Sequence, residues 1–594
     1  MLGDKQPDLD YSRLVSASKK IVSSPEKPAL KLALLSDAAT QQFVPVLRCL
    51  LDSAGFSAEI YEGPFDAIEV EVYNAASGLY AFDPDAVLVL NATQALRAAF
   101  TRRRGSTAEF LADSLSRVMR VWDAIQTNCR AVVMQSTFAL PAERFFGNFD
   151  LKVPDSFSSI THELNAGIVN AARARNGVLL HDVEYVASWV GRNRFFDDRF
   201  WDMWKSFCSL EVLPAVAQNM VDVLMAIRGR SVKCVVLDLD NTLWGGVIGD
   251  DGLNGILLNA HGDGEAWHRL QLFLRELLRR GILLAVCSKN DERNALSPFE
   301  SHPEMVLRRE DITVFVANWK DKAENIRTIR EVLNIGFDSM VFLDDNPFER
   351  NLVRSLIPGI IVPELPEDPS DYVRFLSELN LFETAAFTAE DVKRAEMYKA
   401  EEGRRAEAQS YSSVEEFLQS LDMRIVVARF DSYHLSRIAQ LIQRSNQFNL
   451  TTQRHSQAEC ERLMQDSSVV PLYVKLSDRL GDHGLISVVI LQPKSDELEI
   501  TDWLMSCRAL ERGVEQHVMN EVFSVAREKG LAKITGTYIP TAKNGMVKDF
   551  YSRFGFSQVS EENGATHWSR TADPYQPYSV FIRPAEREPA VMIP

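Results

Sequence analysis

Residues 233–240 read KCVVLDLD, a short apolar run that ends in two aspartates spaced two apart. An unpaired carboxylate is costly inside a core, so Asp238 and Asp240 belong at the mouth of a buried strand. The residues up to 343 repeat this design. A helix is expected over 265–280 (EAWHRLQLFLRELLRR), stopped by Gly281, the usual C-terminal glycine. Strand 282–287, a helix around 291–298, strand 312–316, helix 322–334 and strand 339–343 follow. Short apolar strands alternating with helices specify an open, doubly wound parallel sheet, whose ligands bind beyond the carboxyl ends of the strands.

Each strand end carries matching chemistry. Strand 282–287 runs into Ser288, a hydroxyl suited to a phosphate oxygen. NWKDK (318–322) brings Lys320 and Lys322 to another edge. Strand 339–343 runs into Asp344 and Asp345. Converging carboxylates can hold Mg²⁺, a hard ion that prefers oxygen. They can also divide labour, one attacking phosphorus while the other moves a proton. Taken singly, such a serine is an N-cap, such a lysine a surface charge and such an aspartate pair a solvated turn. Their occurrence together, in order, is the specific signal.

The flanking regions are distinct. Residues 1–229 carry apolar strands at 28–35, 86–90 and 131–134 and helices at 41–54, 108–127 and 211–227, a second α/β layer ending near Gly229. The central unit is expected over 230–366, followed by a charged helical connector over 367–411. An α+β unit over 412–570 has strands at 422–428, 484–492 and 497–503 and helices at 433–444 and 513–529. The proline-rich tail, 571–594, reads as irregular. With 65 Lys+Arg against 82 Asp+Glu, the formal charge of −17 argues against a nucleic-acid partner. Seven cysteines without CxxC spacing exclude a disulfide framework or a zinc site and point to a reducing cytosol. The N-terminus lacks the pattern of a signal peptide and no apolar run can span a bilayer, so a soluble cytoplasmic protein with no membrane partner is expected.

DLDNTLWGG, CSKND, the lysine of NWKDKAENI and LDDNPFER resemble the four motifs of the haloacid dehalogenase (HAD) superfamily. LDLDNTLWGGVIGDDG resembles, more narrowly, the FkbH-like proteins of polyketide assembly lines. The resemblance implies Asp238 as nucleophile, Asp240 as acid/base, and Ser288 and Lys322 as phosphoryl-binding groups. It implies Asn241 and Thr242 as further phosphate contacts. Asp238, Asp240, Asp344 and Asp345 are then the Mg²⁺ set. Lys322 is preferred to Lys320 because it opens the following helix. Between Asp238 and Ser288 only the hairpin-like WGGVIGDDG segment and one helix are found, so no large cap fits. An open site of this kind suits a carrier-protein substrate.

QRSNQFNLTTQR (443–454), LSDRLGDHGLISV (476–488) and DWLMSCRALERGVE (502–515) also resemble the FkbH-like family, and KDFYSRFGF (548–556) resembles the ending of GNAT acyltransferases. A GNAT-like α+β domain is expected, although only Gly513 of Leu510, Gly513 and Glu515 matches the GNAT pyrophosphate loop. Cys507 precedes a helix and is followed by Arg508 and Arg512. It is the candidate acyl-carrying thiol, with His483 as its base and Asn446, Asn449, Thr451 and Arg508 as substrate contacts. In the first unit, ALLSDAAT and LVLNATQ vaguely resemble the strand ends of SGNH hydrolases. The usual GDS is replaced by Leu35, Ser36 and Asp37, and HDVEY (181–185) is not D-x-x-H. A degenerate SGNH-like domain that binds the carrier or another partner is therefore expected, and the arginines of RRRG (102–105) suit an acidic carrier. The resemblance implies a Mg²⁺-dependent glyceryl transferase/phosphatase. Such an enzyme takes D-1,3-bisphosphoglycerate, removes phosphate through an aspartyl-phosphate, and loads the glyceryl group onto the phosphopantetheine thiol of an acyl carrier protein in polyketide (antibiotic) biosynthesis. The alternatives are a HAD phosphatase whose third domain only binds, and a catalytically idle carrier-docking scaffold.

Overall fold

Ala29–Ser36 (β1) has leucine or alanine at six of its eight positions and forms an inner strand of a parallel sheet. In the computed structural model, which describes residues 10–22, 27–386, 397, 400, 404, 407, 411–506, 509–541 and 543–585, the chain forms two units. One runs to Ala226 and the other starts at Ile227. Among the described residues no helix is long and apolar enough to cross a membrane.

The first unit adds β2 (Ser57–Glu62), β3 (Ala86–Leu90), β4 (Val132–Ser136) and β5 (Val178–His181) in the order β2-β1-β3-β4-β5, all parallel. The predicted strands at 28–35, 86–90 and 131–134 are its three inner strands. The edge strand β2 is partly exposed and lacks the apolar run that marks the inner strands, and the edge strand β5 has only four residues. Helix Thr107–Asn128 is started by a reciprocal capping box between Ser106 and Glu109. It buries Trp122, whose Nε1 donates to Gln135 Oε1 on β4 at 3.0 Å.

In the second unit, β6 (Cys234–Leu237), β7 (Leu283–Ser288), β8 (Ile312–Ala317) and β9 (Met340–Leu343) form a parallel sheet in the order β8-β7-β6-β9. Successive side chains point to opposite faces. Val235, Leu237, Leu284, Val286, Val341 and Leu343 pack with Leu270, Leu274 and Leu277 of helix Glu265–Arg279. Cys234, Val236, Leu283, Ala285, Met340 and Phe342 face Ile326 and Ile329 of helix Lys322–Leu333. Both faces are covered, the doubly wound arrangement expected. Each fully buried leucine contributes roughly 1.5–3 kcal/mol. Residues 241–264 make a small fold-back with a bridge between Gly245 and Leu257 and the short helix Ile248–Asp251, with no inserted cap domain.

The rest of this unit is built on β10 (Met423–Arg429), β11 (Phe448–Asn449), β12 (Val470–Asp478), β13 (Gly481–Lys494), β14 (Glu497–Met505), β15 (Lys533–Tyr538), β16 (Ser557–Glu562), β17 (Ala565–Thr571) and β18 (Ile582–Pro584). Their order is β16-β17-β15-β14-β13-β12-β10-β18, with β11 on β14. The sheet is mostly antiparallel, with helices Leu435–Arg444 and Val514–Glu528, the α+β class expected. β14 and β15 are parallel only from Glu497 to Ile500. Beyond that point β11 pairs with Leu504 and Met505, and Leu450 bridges Trp503 and Ile539. The tail is not irregular throughout. β18 pairs in parallel with β10, and Tyr575 stacks on Phe523 with ring centroids 3.8 Å apart. Its tyrosines and Ile582 cover apolar surface of the sheet and of helix Val514–Glu528.

Candidate active site

β6 and β9 run side by side, Leu237 opposite Leu343, and the Asp238 N–H donates to the Leu343 carbonyl at 2.9 Å. That register places Asp238 beside Asp344 and Asp345. Carboxylate oxygens of the three lie within 4.8 Å of one another, Asp238 and Asp344 being buried. The third strand end supplies the cation. Asp321 accepts from the Ala323 and Glu324 amides at 2.7 and 3.2 Å and starts the helix that carries Lys322. Lys322 is 3% exposed, and its Nζ lies 2.9 Å from Asp238 Oδ2 and 2.6 Å from Asp344 Oδ2. Lys320 is exposed, precedes the helix and pairs with Glu324 at 3.1 Å, so Lys322 is the lysine of the site.

The electrostatics follow from burial. Desolvation disfavours the Lys322 ammonium, but Asp238 and Asp344 outweigh it and raise its pKa. Asp344 is pushed up to about 7, first by burial and then by the Asp238 charge, with Lys322 opposing. Asp345 is raised by the same two causes. Three carboxylates facing one ammonium are under-neutralised, and their donor atoms are all oxygen, so the trio fits a small, hard divalent cation.

Asp240 stands outside this trio. Its Oδ1 accepts from Trp244 Nε1 and the Ile248 amide, each at 3.0 Å, and its Oδ2 accepts from Asn290 Nδ2 at 2.9 Å. Burial raises its pKa, which suits a group that must hold a proton and release it. Thr242 is fully buried and accepts from the Asp345 amide at 3.0 Å, thereby orienting that acid. Asn241 has a left-handed backbone (φ +56°) and accepts from the Gly246 amide at 3.0 Å, closing the turn after Asp240. Ser288 ends β7, 1% exposed. The motifs CSKND and LDDNPFER point to Ser288, Asp344 and Asp345, but the residues beside these also build the site. Asn290 holds Asp240, Lys289 pairs with Glu349 at 2.6 Å, and Arg350 Nη1 donates to the Asp344 and Asp345 carbonyls at 2.8 and 2.7 Å. Their positions beside the motif acids were the available signal.

In the α+β part, Cys507 and Arg508 lie outside the described residues. The flanking Ser506 amide donates to the Ile486 carbonyl on β13 at 2.7 Å. His483, on the same strand, is buried, with its Nε2 2.8 Å from Asp478 Oδ2 and 3.4 Å from Arg512 Nη1. Arg404 binds Asp478 through two 2.8 Å hydrogen bonds. Burial would raise the Asp478 pKa, but His483 and Arg404 outweigh it and hold the group well below the usual range. Burial, in turn, lowers His483. Asn446 accepts from Arg454, and Asn449 makes a turn, accepting from the Thr452 amide at 2.8 Å and donating to the Ser445 carbonyl at 3.2 Å. Thr451 donates to Asp502 at 3.0 Å and lines a cavity.

In the first unit the Ser36 hydroxyl accepts from the Ala38 amide at 2.9 Å, and His181 Nε2 meets the Val216 carbonyl at 3.1 Å. Among the described residues no histidine hydrogen-bonds Ser36. Asn91 donates to Asp37 at 2.9 Å, and burial lifts Asp37 to about 6.

Residues 31–225 match the family model of the FkbH N-terminal domain. The N-terminal part of the protein BF1531 from Bacteroides fragilis, containing a phosphatase domain and complexed with Mg, is 39% identical. It covers 64% of this chain and 99% of that one, with a TM-score of 0.60. The ribosomal-protein-S18-alanine N-acetyltransferase from Escherichia coli (12% identity, 26% and 96% coverage, TM-score 0.21) and Ard1 from Thermoplasma volcanium (16% identity, 25% and 97%, TM-score 0.20) are likenesses too slight to carry an argument. No curated protein matches the chain. With the family-model match, the strand-end motifs and the 39% identity across nearly the whole of that N-terminal part of the Bacteroides protein, the chain belongs to the FkbH-like proteins of the HAD superfamily.

Proposed function

We infer that the chain is a HAD-type phosphatase that uses Mg²⁺ and also transfers a glyceryl group from D-1,3-bisphosphoglycerate to the phosphopantetheine thiol of an acyl carrier protein. The observation that carries the phosphatase half is Lys322 Nζ bridging Asp238 and Asp344 at 2.9 and 2.6 Å beside Asp345. Asp238, Asp344 and Asp345 would hold Mg²⁺, which when bound neutralises the phosphoryl oxygens and the carboxylates that approach them. Asp238 attacks phosphorus, forming an aspartyl-phosphate as the bond to the leaving oxygen breaks. Asp240 protonates that oxygen and then takes a proton from the water that releases phosphate. Lys322 and Ser288 steady the transferring group.

The acyl half rests on the FkbH-like motifs and on the reactivity of thiols. Cys507 attacks the acyl phosphate carbon, a C–S bond forms, and phosphate leaves with the broken C–O bond. The carrier thiol then takes the acyl group by thioester exchange. His483, tied to Asp478 on the strand that pairs with Ser506, is the proposed proton acceptor for this thiol. The N-terminal unit, a five-stranded parallel sheet whose Ser36 has no histidine partner among the described residues, is read as SGNH-like and as a carrier-binding domain. The six described cysteines are all free, which suits a reducing cytoplasm.

Intact-protein mass spectrometry of a phosphopantetheinylated carrier, incubated with enzyme, Mg²⁺ and 1,3-bisphosphoglycerate, tests the reading. The carrier should gain one glyceryl mass, and the gain should vanish with Cys507→Ala while phosphate release persists. No gain with any cognate carrier rejects the transferase half, and phosphate release unchanged in Asp238→Asn rejects the phosphatase half.

A further inference from the structure

β7 and β9 lie on either side of β6, so the segments that follow them start about 10 Å apart, two strand spacings. One side-chain pair closes that gap. Lys289 comes directly after β7, and Glu349 stands in the first turn of helix Pro347–Leu356, which begins just beyond β9. Lys289 Nζ lies 2.6 Å from Glu349 Oε1. The pair therefore spans the width of β6, the strand that runs into Asp238. Its neighbours belong to the same place, since Ser288 ends β7 and Asn290 donates to Asp240 Oδ2 at 2.9 Å. Burial pushes the Cys287 thiol up, and the charges of Lys322, Asp238, Asp344 and Glu349 all reach it, so Glu349 shares a neighbourhood with the acids of the site.

The basic groups here differ in what they have left to offer. Lys322 is enclosed between two carboxylates, with its side chain 4% exposed. Arg350, 7% exposed, is spent on the Asp344 and Asp345 carbonyls and on Glu364. Lys289 is 34% exposed, and among the described residues Glu349 is the one partner of its ammonium. An ammonium has three donors, so two remain. Glu349 is buried, and its Oε2 has no hydrogen-bond partner among the described residues. A carboxylate so poorly compensated keeps its one cation close, which holds the Lys289 head at the mouth and leaves its free N–H groups for a ligand.

We propose that Lys289 receives the second anionic group of a doubly phosphorylated substrate, the phosphate that is not being transferred, and so gives the HAD site its preference for molecules with an anion at each end. Glu349 is the positioning residue for that ammonium. The inference rests on the phosphatase reading for what enters the site, but its test measures binding and needs no turnover.

The probes are propane-1,3-bisphosphonate and propylphosphonate, whose phosphorus–carbon bonds survive a phosphatase and which differ only in the second anionic group. Each is titrated by calorimetry into the full-length protein with saturating Mg²⁺. Wild type should bind the bisphosphonate at least about tenfold more tightly, the size of one charge-assisted hydrogen bond. Lys289→Met alone strands a buried carboxylate and endangers the fold, so the deciding variant is Lys289→Met/Glu349→Gln. It should lose the preference by weakening the bisphosphonate alone, and Lys289→Arg should retain it. Equal binding of the two probes by wild type, binding of neither, or a preference that survives the double variant overturns the proposal. So does an equal loss for both probes, which a merely structural ion pair would give. If phosphate release depends on Asp238 and yet wild type does not distinguish the probes, only this inference falls. If the bisphosphonate is preferred as expected and phosphate release is unchanged in Asp238→Asn, the phosphatase reading falls and the anion site stands.

Discussion

Replacing Lys322 by methionine leaves an unbranched side chain one atom shorter and removes the ammonium that Asp238 and Asp344 share at 2.9 and 2.6 Å. Both carboxylates are buried, at 6% and 0% exposure, so neither can turn to water for compensation. Removing one partner of a buried ion pair costs about 3–5 kcal/mol, because the remaining charge is left uncompensated or must take up a proton. Urea unfolding in EDTA should show that loss. Mg²⁺ at about a hundred times its dissociation constant should return roughly 2.7 kcal/mol, since the ion binds only the folded trio. The double variant Lys322→Met/Asp344→Asn should lose less than the sum of the two single changes, because it removes one of the stranded charges. Phosphate release should fall by about 100-fold or more, as when a donor to developing charge is lost. If Lys322→Met unfolds in EDTA at the wild-type urea concentration, the claim that this lysine neutralises the site is refuted.

Three further outcomes follow from the same geometry and from the packing around it. Asp240→Asn should slow both the formation and the hydrolysis of the aspartyl-phosphate, so steady-state phosphate release should fall by about 100-fold or more; release at the wild-type rate would place the proton transfer elsewhere. His181 is fully buried, and burial lowers its pKa from 6.5 to about 4. Between those values the unfolded chain binds the extra proton, so the stability this group contributes is complete above about pH 6.5 and lost as pH falls to about 4, roughly 3 kcal/mol in all. Urea midpoints of wild type and His181→Asn across that range should converge at low pH, and parallel curves would refute this. Tyr575→Ala removes a ring stacked 3.8 Å from Phe523 and should cost about 1–3 kcal/mol in thermal unfolding. An unchanged midpoint would show the tail to be dispensable.

The strands that lead into the motif acids and Ser288 were legible because β6, β7 and β9 are buried along their whole length, which writes an apolar run into the sequence. The lysine was legible because Asp321 caps the helix and sets Lys322, rather than Lys320, at its first turn. Edge strands β2 and β16 were not, since half-exposed positions of β2 and the exposed positions of β16 carry polar residues that read as loop. The company of Asp240 was equally hidden. Nothing in the spacing of Trp244 and Asn290 announces that both donate to one carboxylate, because their meeting depends on the turn at Asn241 and the end of β7. His455 and Asp502 come together only through the pairing of β11 with β14 and the extra residue at Thr501, neither of which leaves a periodic trace. Asn449 has the polarity of a substrate contact and serves instead as the hinge of a turn.

The pairing of Leu237 with Leu343 works as a caliper. Adjacent strands sit about 4.8 Å apart whatever residues they carry, so the gap between Asp238 and Asp344 is set by backbone hydrogen bonds and not by side-chain choice. Loops beyond the strand ends can then lengthen or change without altering that gap. A slip of β9 by a single residue would instead turn Asp344 to the opposite face of the sheet and open the jaws, so phosphate release doubles as a readout of strand register.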